Sequence, residues 1–485
     1  LFGFNHDEAE KAFQQATKLD PNMAMAYWGI AYAVGPNYNL PIDWQREEIA
    51  YNAIAKAKAL GEKATASERA YIGALATRFT NDKNADLHQL DVTYADRMRD
   101  VMRAYPDDLD AATFFAESMM GLRPWKLWNA DGTPAPGTEE IVATLESVLR
   151  RNPNHLGAVH FYIHAVEGSP SPERALAYAD HLGALAPASG HLVHMPAHTY
   201  IRTGDFDAAA IANEKAAKAD EAYIKRANLK GIYPLMYYSH NLHFLASAYS
   251  SDGRLADALR SATRLENNVA PHIKDMPMLE GFIPTRYWVL ARFHRWDDIL
   301  KLPAPPAGRA FQGMMWHYAR GMAMAGKGNV AGAEKEHAAL LESAKPVPVN
   351  MVISPVGNTA GMIINVADKV LAAQIVEARD GAEKSLDAWR TALADYDKVG
   401  YSEPPDWYYS VRESLGAALL KSKQYEEAEK VFREDLVANR RNGRSLYGLA
   451  MALKGQGREY DSRFVMDEYK AAWSKAEKPL AEGDL

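Results

Sequence analysis

The sequence predicts an all-α protein, a right-handed α-solenoid built from antiparallel helix pairs. Three observations lead there. Apolar residues recur at three- and four-residue spacing along nearly the whole chain, and no segment alternates with period two. Alanine-rich stretches are cut at intervals by Asp-Pro, Tyr-Pro, Asn-Pro and Gly-Asp pairs, which stop one helix and turn the chain into the next.

The pairs can be taken in order. Asn5 to Pro21 reads as a helix and its Pro-containing turn, and Asn22 to Gly35 as a second helix with small residues where the two must approach closely. Similar pairs follow: Leu87 to Ala104 with Asp107 to Met120, Thr138 to Arg151 with Asn154 to Val166, and Pro172 to Ala186 with Gly190 to Arg202. Phe206 to Ile224 pairs with Leu235 to Ser250, Leu255 to Val269 with Met278 to Phe293, and further pairs run to the C-terminus. Residues 1–485 read as one solenoid, with histidine-rich central repeats at 155–250. Two loops interrupt it: a tryptophan-containing loop at 123–137, and the Pro-rich Lys301 to Gly308, a hinge or a long turn. Gly326 to Gly332 reads as a turn between repeats, and the Pro-Pro of Glu403 to Tyr409 as a helix start.

Composition narrows the function. The 485 residues are 48% hydrophobic and 24% charged, ample for a packed core. Lys+Arg 55 against Asp+Glu 62 gives 55 − 62 = −7, with no basic block, which argues against nucleic acid or an anionic membrane as partner. No run of about 18 apolar residues predicts membrane insertion. The absence of cysteine removes disulfides, thiolate metal ligands and Cys nucleophiles together. Leu1-Phe2-Gly3-Phe4 reads as the tail of a helix with no initiator methionine, so upstream sequence is expected and the compartment, cytoplasmic or periplasmic, stays open.

The helix–turn–helix pairs resemble the tetratricopeptide repeat, whose unit is about 34 residues. Lys421 to Glu434 and Tyr447 to Arg458 match it best. More specifically, HFYIHAVE, GHLVHMPAHTYIRTGDF, YYSHNLHFL, RPWKLWNADGTPAPGTEEI and EPPDWYYSVRESLGAALL resemble a bacterial family of tetratricopeptide-repeat proteins along essentially the whole chain. That resemblance implies the fold and secures no activity. Ser410 stands where that family commonly has Pro, and Gly443-Arg444 where Gly-Trp is usual.

Seven of the fifteen histidines fall in three of these words: His160 and His164, then His191, His194 and His198, then His240 and His243. Each set lines up on one helix face, since residues three and four apart are stacked neighbours. Equivalent helices of successive repeats lie side by side, about 10 Å apart, so the stripes are expected to meet in one groove. Imidazoles converging from separate helices are what a metal ion needs, whereas burying them unpaired would cost on the order of 1–3 kcal/mol each. With no thiolate, and without the several Glu-x-x-His arrangements that a carboxylate-bridged di-iron site wants, imidazole ligation by one or two ions leans toward copper or zinc. Trp125, Trp128, Tyr162, Glu167, Tyr200, Tyr237 and Arg286 are expected around the groove. Pro196 is expected to kink its helix.

The sequence lacks a G-x-S-x-G elbow, a P-loop and a dinucleotide-binding glycine fingerprint. Two functions follow as expectations. One is a metal-dependent enzyme, an oxidoreductase or hydrolase, acting on a small molecule or short peptide in the concave groove. The alternative is a non-enzymatic scaffold gripping a partner peptide there, its histidines merely hydrogen-bonded.

Overall fold

The computed structural model describes residues 1–354 and 356–485, and every regular element among them is a helix. The β contacts among the described residues are isolated bridges, such as Trp128 with Pro134. None of their helices is long and apolar enough to cross a membrane. The chain divides into two compact units, Leu1–Thr199 and Tyr200–Leu485, where the sequence reads as one solenoid.

The first unit holds α1 (His6–Leu19), α2 (Ala24–Val34), α3 (Trp44–Leu60), α4 (Ala66–Leu75), α5 (Leu87–Ala104), α6 (Leu109–Gly121), α7 (Thr138–Arg151), α8 (Leu156–Glu167), α9 (Leu176–Leu185) and α10 (Gly190–His194). It ends inside α11 (Pro196–Thr203). Asp43, Thr65, Asp86 and Asp108 start α3 to α6 by accepting a backbone N–H three residues on, a cap that satisfies one of the orphan donors of each helix. Each helix packs on the next, and α2 on α4 and α6 on α8 as well, the contact of alternate helices that stacked pairs make. Trp28, Tyr32, Tyr71, Phe114 and Phe115 fill the core between them.

The second unit comprises α12 (Phe206–Ala227), α13 (Tyr238–Ser251), α14 (Leu255–Val269), α15 (Thr285–Arg292), α16 (Trp296–Leu300), α17 (Ala310–Gly326) and α18 (Val330–Ala344). It continues through α19 (Ala360–Asp380), α20 (Ala382–Tyr396), α21 (Val411–Lys421), α22 (Tyr425–Ala438), α23 (Gly443–Gly455) and α24 (Glu459–Ala472). Here α13, α15, α17 and α19 pack in succession beneath their partners. Residues 326–330 do form the expected turn between α17 and α18.

Two expectations are corrected. Leu1–Phe4 is not the tail of a helix: it is a turn in which Phe4 takes a left-handed backbone (φ 52°), and its rings are used for packing instead. The Pro-Pro at 404–405 starts no helix either. The α21 helix begins at Val411, where the Ser410 side chain accepts the Arg412 N–H, a cap that proline could not supply.

Candidate metal centre

Helix α8 is buried on every side from Gly157 to Glu167, as expected of a helix apolar all round. It starts on the His155 side chain, whose Nδ1 accepts the Ala158 N–H at 3.1 Å. Gly157 admits the Phe2 ring, since a Cβ there would stand 2.6 Å from that ring. The sequence from His191 to His198 forms two short helices, because Pro196 has no N–H to continue the ladder across Met195. The predicted kink is therefore present. It lets His191 on α10 and His198 on α11 both reach α8, against His160 and His164.

Five imidazoles of the first unit close into a ring. Their centroids are 5.0 Å apart from His160 to His164, 5.5 Å from His164 to His198, and 4.7 Å from His198 to His194. The circuit returns at 6.1 Å from His194 to His191 and 4.9 Å from His191 to His160. None of the five is more than 5% exposed.

Hydrogen bonds to acceptors fix the tautomer of three of the five rings. His160 Nδ1 donates to the Phe2 carbonyl at 2.6 Å, because a carbonyl can only accept, and its Nε2 is left with a lone pair. His164 Nδ1 donates to Glu167 Oε1 at 2.8 Å and His198 Nδ1 to Glu167 Oε2 at 2.5 Å. One carboxylate thus sets two tautomers. Nε2 of His164 is sealed from solvent with no hydrogen-bond partner, while Nε2 of His160 accepts from Nε2 of His191 at 3.1 Å. His160, His164 and His191 each bring a ligand atom within 4.8 Å of the others. Three imidazole nitrogens on one ion stand roughly 3.3 Å apart at the usual bond length of about 2 Å, so small side-chain movements bring the trio to that geometry.

Electrostatics agree with neutral rings. Burial, reinforced by the neighbouring imidazoles, pushes His160 and His191 well below the usual histidine range, and burial lowers His164 although Glu167 opposes it. Burial alone would raise Glu167, but His198 and His164 outweigh it and hold the carboxyl below the ordinary carboxylate range. Metal ligation needs neutral imidazole and an ionised outer carboxylate, and both forms are favoured here.

Aromatic side chains cover the trio. The Phe4 ring lies 4.6 Å from His160, 5.3 Å from His191 and 6.1 Å from His164. Trp125 meets His164 edge-on at 5.4 Å, and Tyr38 lies 5.3 Å from the same imidazole. The 123–137 loop is pinned against α8, with the Trp128 indole N–H donating to the Ala165 carbonyl at 2.8 Å. Phe2, Phe4 and Tyr38 escaped the sequence reading, since they carry no ligating chemistry and meet the histidines only through contacts remote in sequence.

The remaining expected residues make contacts of their own. Tyr162 turns its hydroxyl to Glu146 at 2.7 Å. In the second unit, Tyr200 lies on α11, Tyr237 stacks on Tyr233 at 5.5 Å, and Arg286 pairs with Glu266 at 3.6 Å. His240 lies against Phe244 on α13. His243 stacks on Tyr408 at 5.9 Å and meets Phe282 at 5.6 Å, and it is in no group of three or more ligating side chains among the described residues.

The tetratricopeptide-repeat family model matches residues 4–23, from Phe4 through α1 to the turn before α2. No curated protein matches the chain in sequence. Among solved structures, the chain is similar to the human IFIT1 dimer with m7Gppp-AAAA at 13% identity and a TM-score of 0.35, over 98% of this chain and 95% of that one. It is similar to yeast Tom70 at 9% identity and a TM-score of 0.31, over 96% and 89%. The P58(IPK) TPR domain gives 12% identity and a TM-score of 0.25, over 93% and 94%. At such scores the likenesses carry no argument about ligands or partners. The one matched tetratricopeptide repeat, at residues 4–23, is followed by stacked helix pairs along the rest of the chain.

Proposed function

We propose that the first unit binds a transition-metal ion through Nε2 of His160, His164 and His191, with Glu167 and the Phe2 carbonyl as the outer groups that orient two of these ligands. The observation that carries this is the buried Nε2 of His164, which has a fixed lone pair and no partner, beside two further imidazole nitrogens. An imidazole donor set without thiolate suits copper or zinc.

The reading extends to a metal-dependent enzyme. A pocket of 590 Å³ in the same unit has an aromatic floor of Phe2, Trp28, Tyr71 and Phe114 and acidic groups from Glu68, Asp108 and Asp110. Phe2 belongs both to that floor and, through its carbonyl, to the setting of His160. The pocket suits a small molecule or peptide side chain that is apolar with a cationic end. When bound, the ion would supply Lewis-acid or redox chemistry, while Glu167 keeps His164 and His198 in one tautomer and Phe4 keeps water off the trio.

Elemental analysis of protein purified without an affinity tag tests the reading. About one equivalent of copper or zinc, lost in His164→Ala, is the expected result. Reproducible absence of stoichiometric metal after incubation with either ion hands the site to the second reading, a peptide-binding scaffold, which the tetratricopeptide-repeat match itself favours.

A further inference from the structure

The second unit contains a cavity of 190 Å³ bordered by Arg292, Arg444, Glu413, Tyr409, Trp296 and Trp389. Its polar wall is unusual. Arg292 and Arg444 are both nearly buried, with side chains 5% and 8% exposed, and they share one carboxylate. Arg292 Nη1 reaches both oxygens of Glu413 at 3.1 Å, and Arg444 Nε reaches Oε2 at 2.9 Å. Asn442 also donates to Glu413 Oε1, at 2.8 Å. The carboxylate is saturated while the guanidiniums are not: Arg292 Nε is sealed from solvent with no partner.

The other acids nearby accept from donors of their own, and Asn442 links Asp435 to Glu413. Glu377 takes Lys421 at 2.7 Å and the Trp389 indole at 2.9 Å, Asp435 takes Ser445 and Asn442, and Asp484 takes Lys478 at 3.0 Å. Two buried guanidiniums share the Glu413 carboxylate and the Arg292 Nε donor stays unmet, which is costly in a buried place. Guanidinium forks match carboxylates in geometry as well as in charge.

We propose that this cavity binds a small organic monoanion, its carboxylate on Arg292 and Arg444 and its apolar body between Trp296 and Trp389. The site lies wholly within the second unit and is independent of the histidine cluster.

Calorimetry on the full chain with benzoate as probe, and with benzamide and inorganic phosphate as controls, tests it. One saturable benzoate site is expected, with no detectable heat from benzamide. Arg292→Gln should weaken benzoate binding at least tenfold. Should that variant fail to fold, Ser414→Phe serves, because Ser414 lines the same cavity and makes none of the ion-cluster contacts. With helical content unchanged, it should also weaken binding at least tenfold. Equal binding of benzoate and benzamide, binding of phosphate without benzoate, no binding of any probe at millimolar concentration, or full affinity in Ser414→Phe would each overturn the proposal.

Discussion

Glu167 accepts the Nδ1 proton of His164 at 2.8 Å, and that one bond decides which nitrogen of the imidazole is left for an ion. Removing the charge while keeping the shape isolates this role. Glu167→Gln should retain helical content but weaken zinc or copper affinity by about 10- to 100-fold, the usual effect of losing an outer carboxylate. Competition against a chelator of known affinity reads this directly. An unchanged affinity would show that the tautomers are set by something else.

The histidines of the two units should separate by mutation. His164→Ala should remove the bound ion, whereas His243→Phe should leave metal content intact, because His243 sits between Tyr408 and Phe282 rather than among ligands. Metal loss in His243→Phe would refute the assignment of the site to the trio.

The same residue carries a pH prediction. Burial lowers His243 from 6.5 to about 4, so the unfolded chain binds its proton more readily. Between those values stability rises with pH: the contribution is fully present above about 6.5, is lost as pH falls, and is spent near pH 4. His294, lowered to about 4 chiefly by burial, acts in the same direction. His243→Phe should therefore flatten the acid limb of a denaturation series, by about 2 kcal/mol at pH 4 after allowing for the partial exposure of the residue. A limb of unchanged slope contradicts this.

Phe4 is 4% exposed and lies against three imidazoles. Phe4→Ala should destabilise the first unit by about 3–5 kcal/mol and let a chelator strip the ion faster, by an order of magnitude or more. Stopped-flow chelation at a temperature where the variant stays folded measures it. Identical stripping rates would mean that access to the trio lies elsewhere.

Periodicity was enough to read most of the helices, though not α3 and α4, because each must bury one stripe and the stripe is written locally. Thr138–Arg151 has in the structure the limits expected of it. The in-phase spacing of His160 with His164, and of His191, His194 and His198, likewise foretold shared faces. Glu167 was expected only around the groove, since its bond to His198 joins residues 31 positions apart. Phe4 over the trio, Tyr38 against His164, and the turn at Leu1–Phe4 come from tertiary packing, which no local pattern encodes. The non-helical stretch before Val411 went unread for another reason: proline is equally at home at a helix start and in a turn.

The Phe2 carbonyl that orients His160 lies 158 positions from it along the chain. Bonds between such distant residues close the largest loops and form late, after helices that need only neighbours. An ion captured by the trio is thus a seal on finished work. It can be held properly only once residue 2 has come home to α8 and His191 has docked beside it. Metal content would then register whether each molecule has completed its assembly, and deleting residues 1–4 should give helices of ordinary ellipticity that cannot keep their ion.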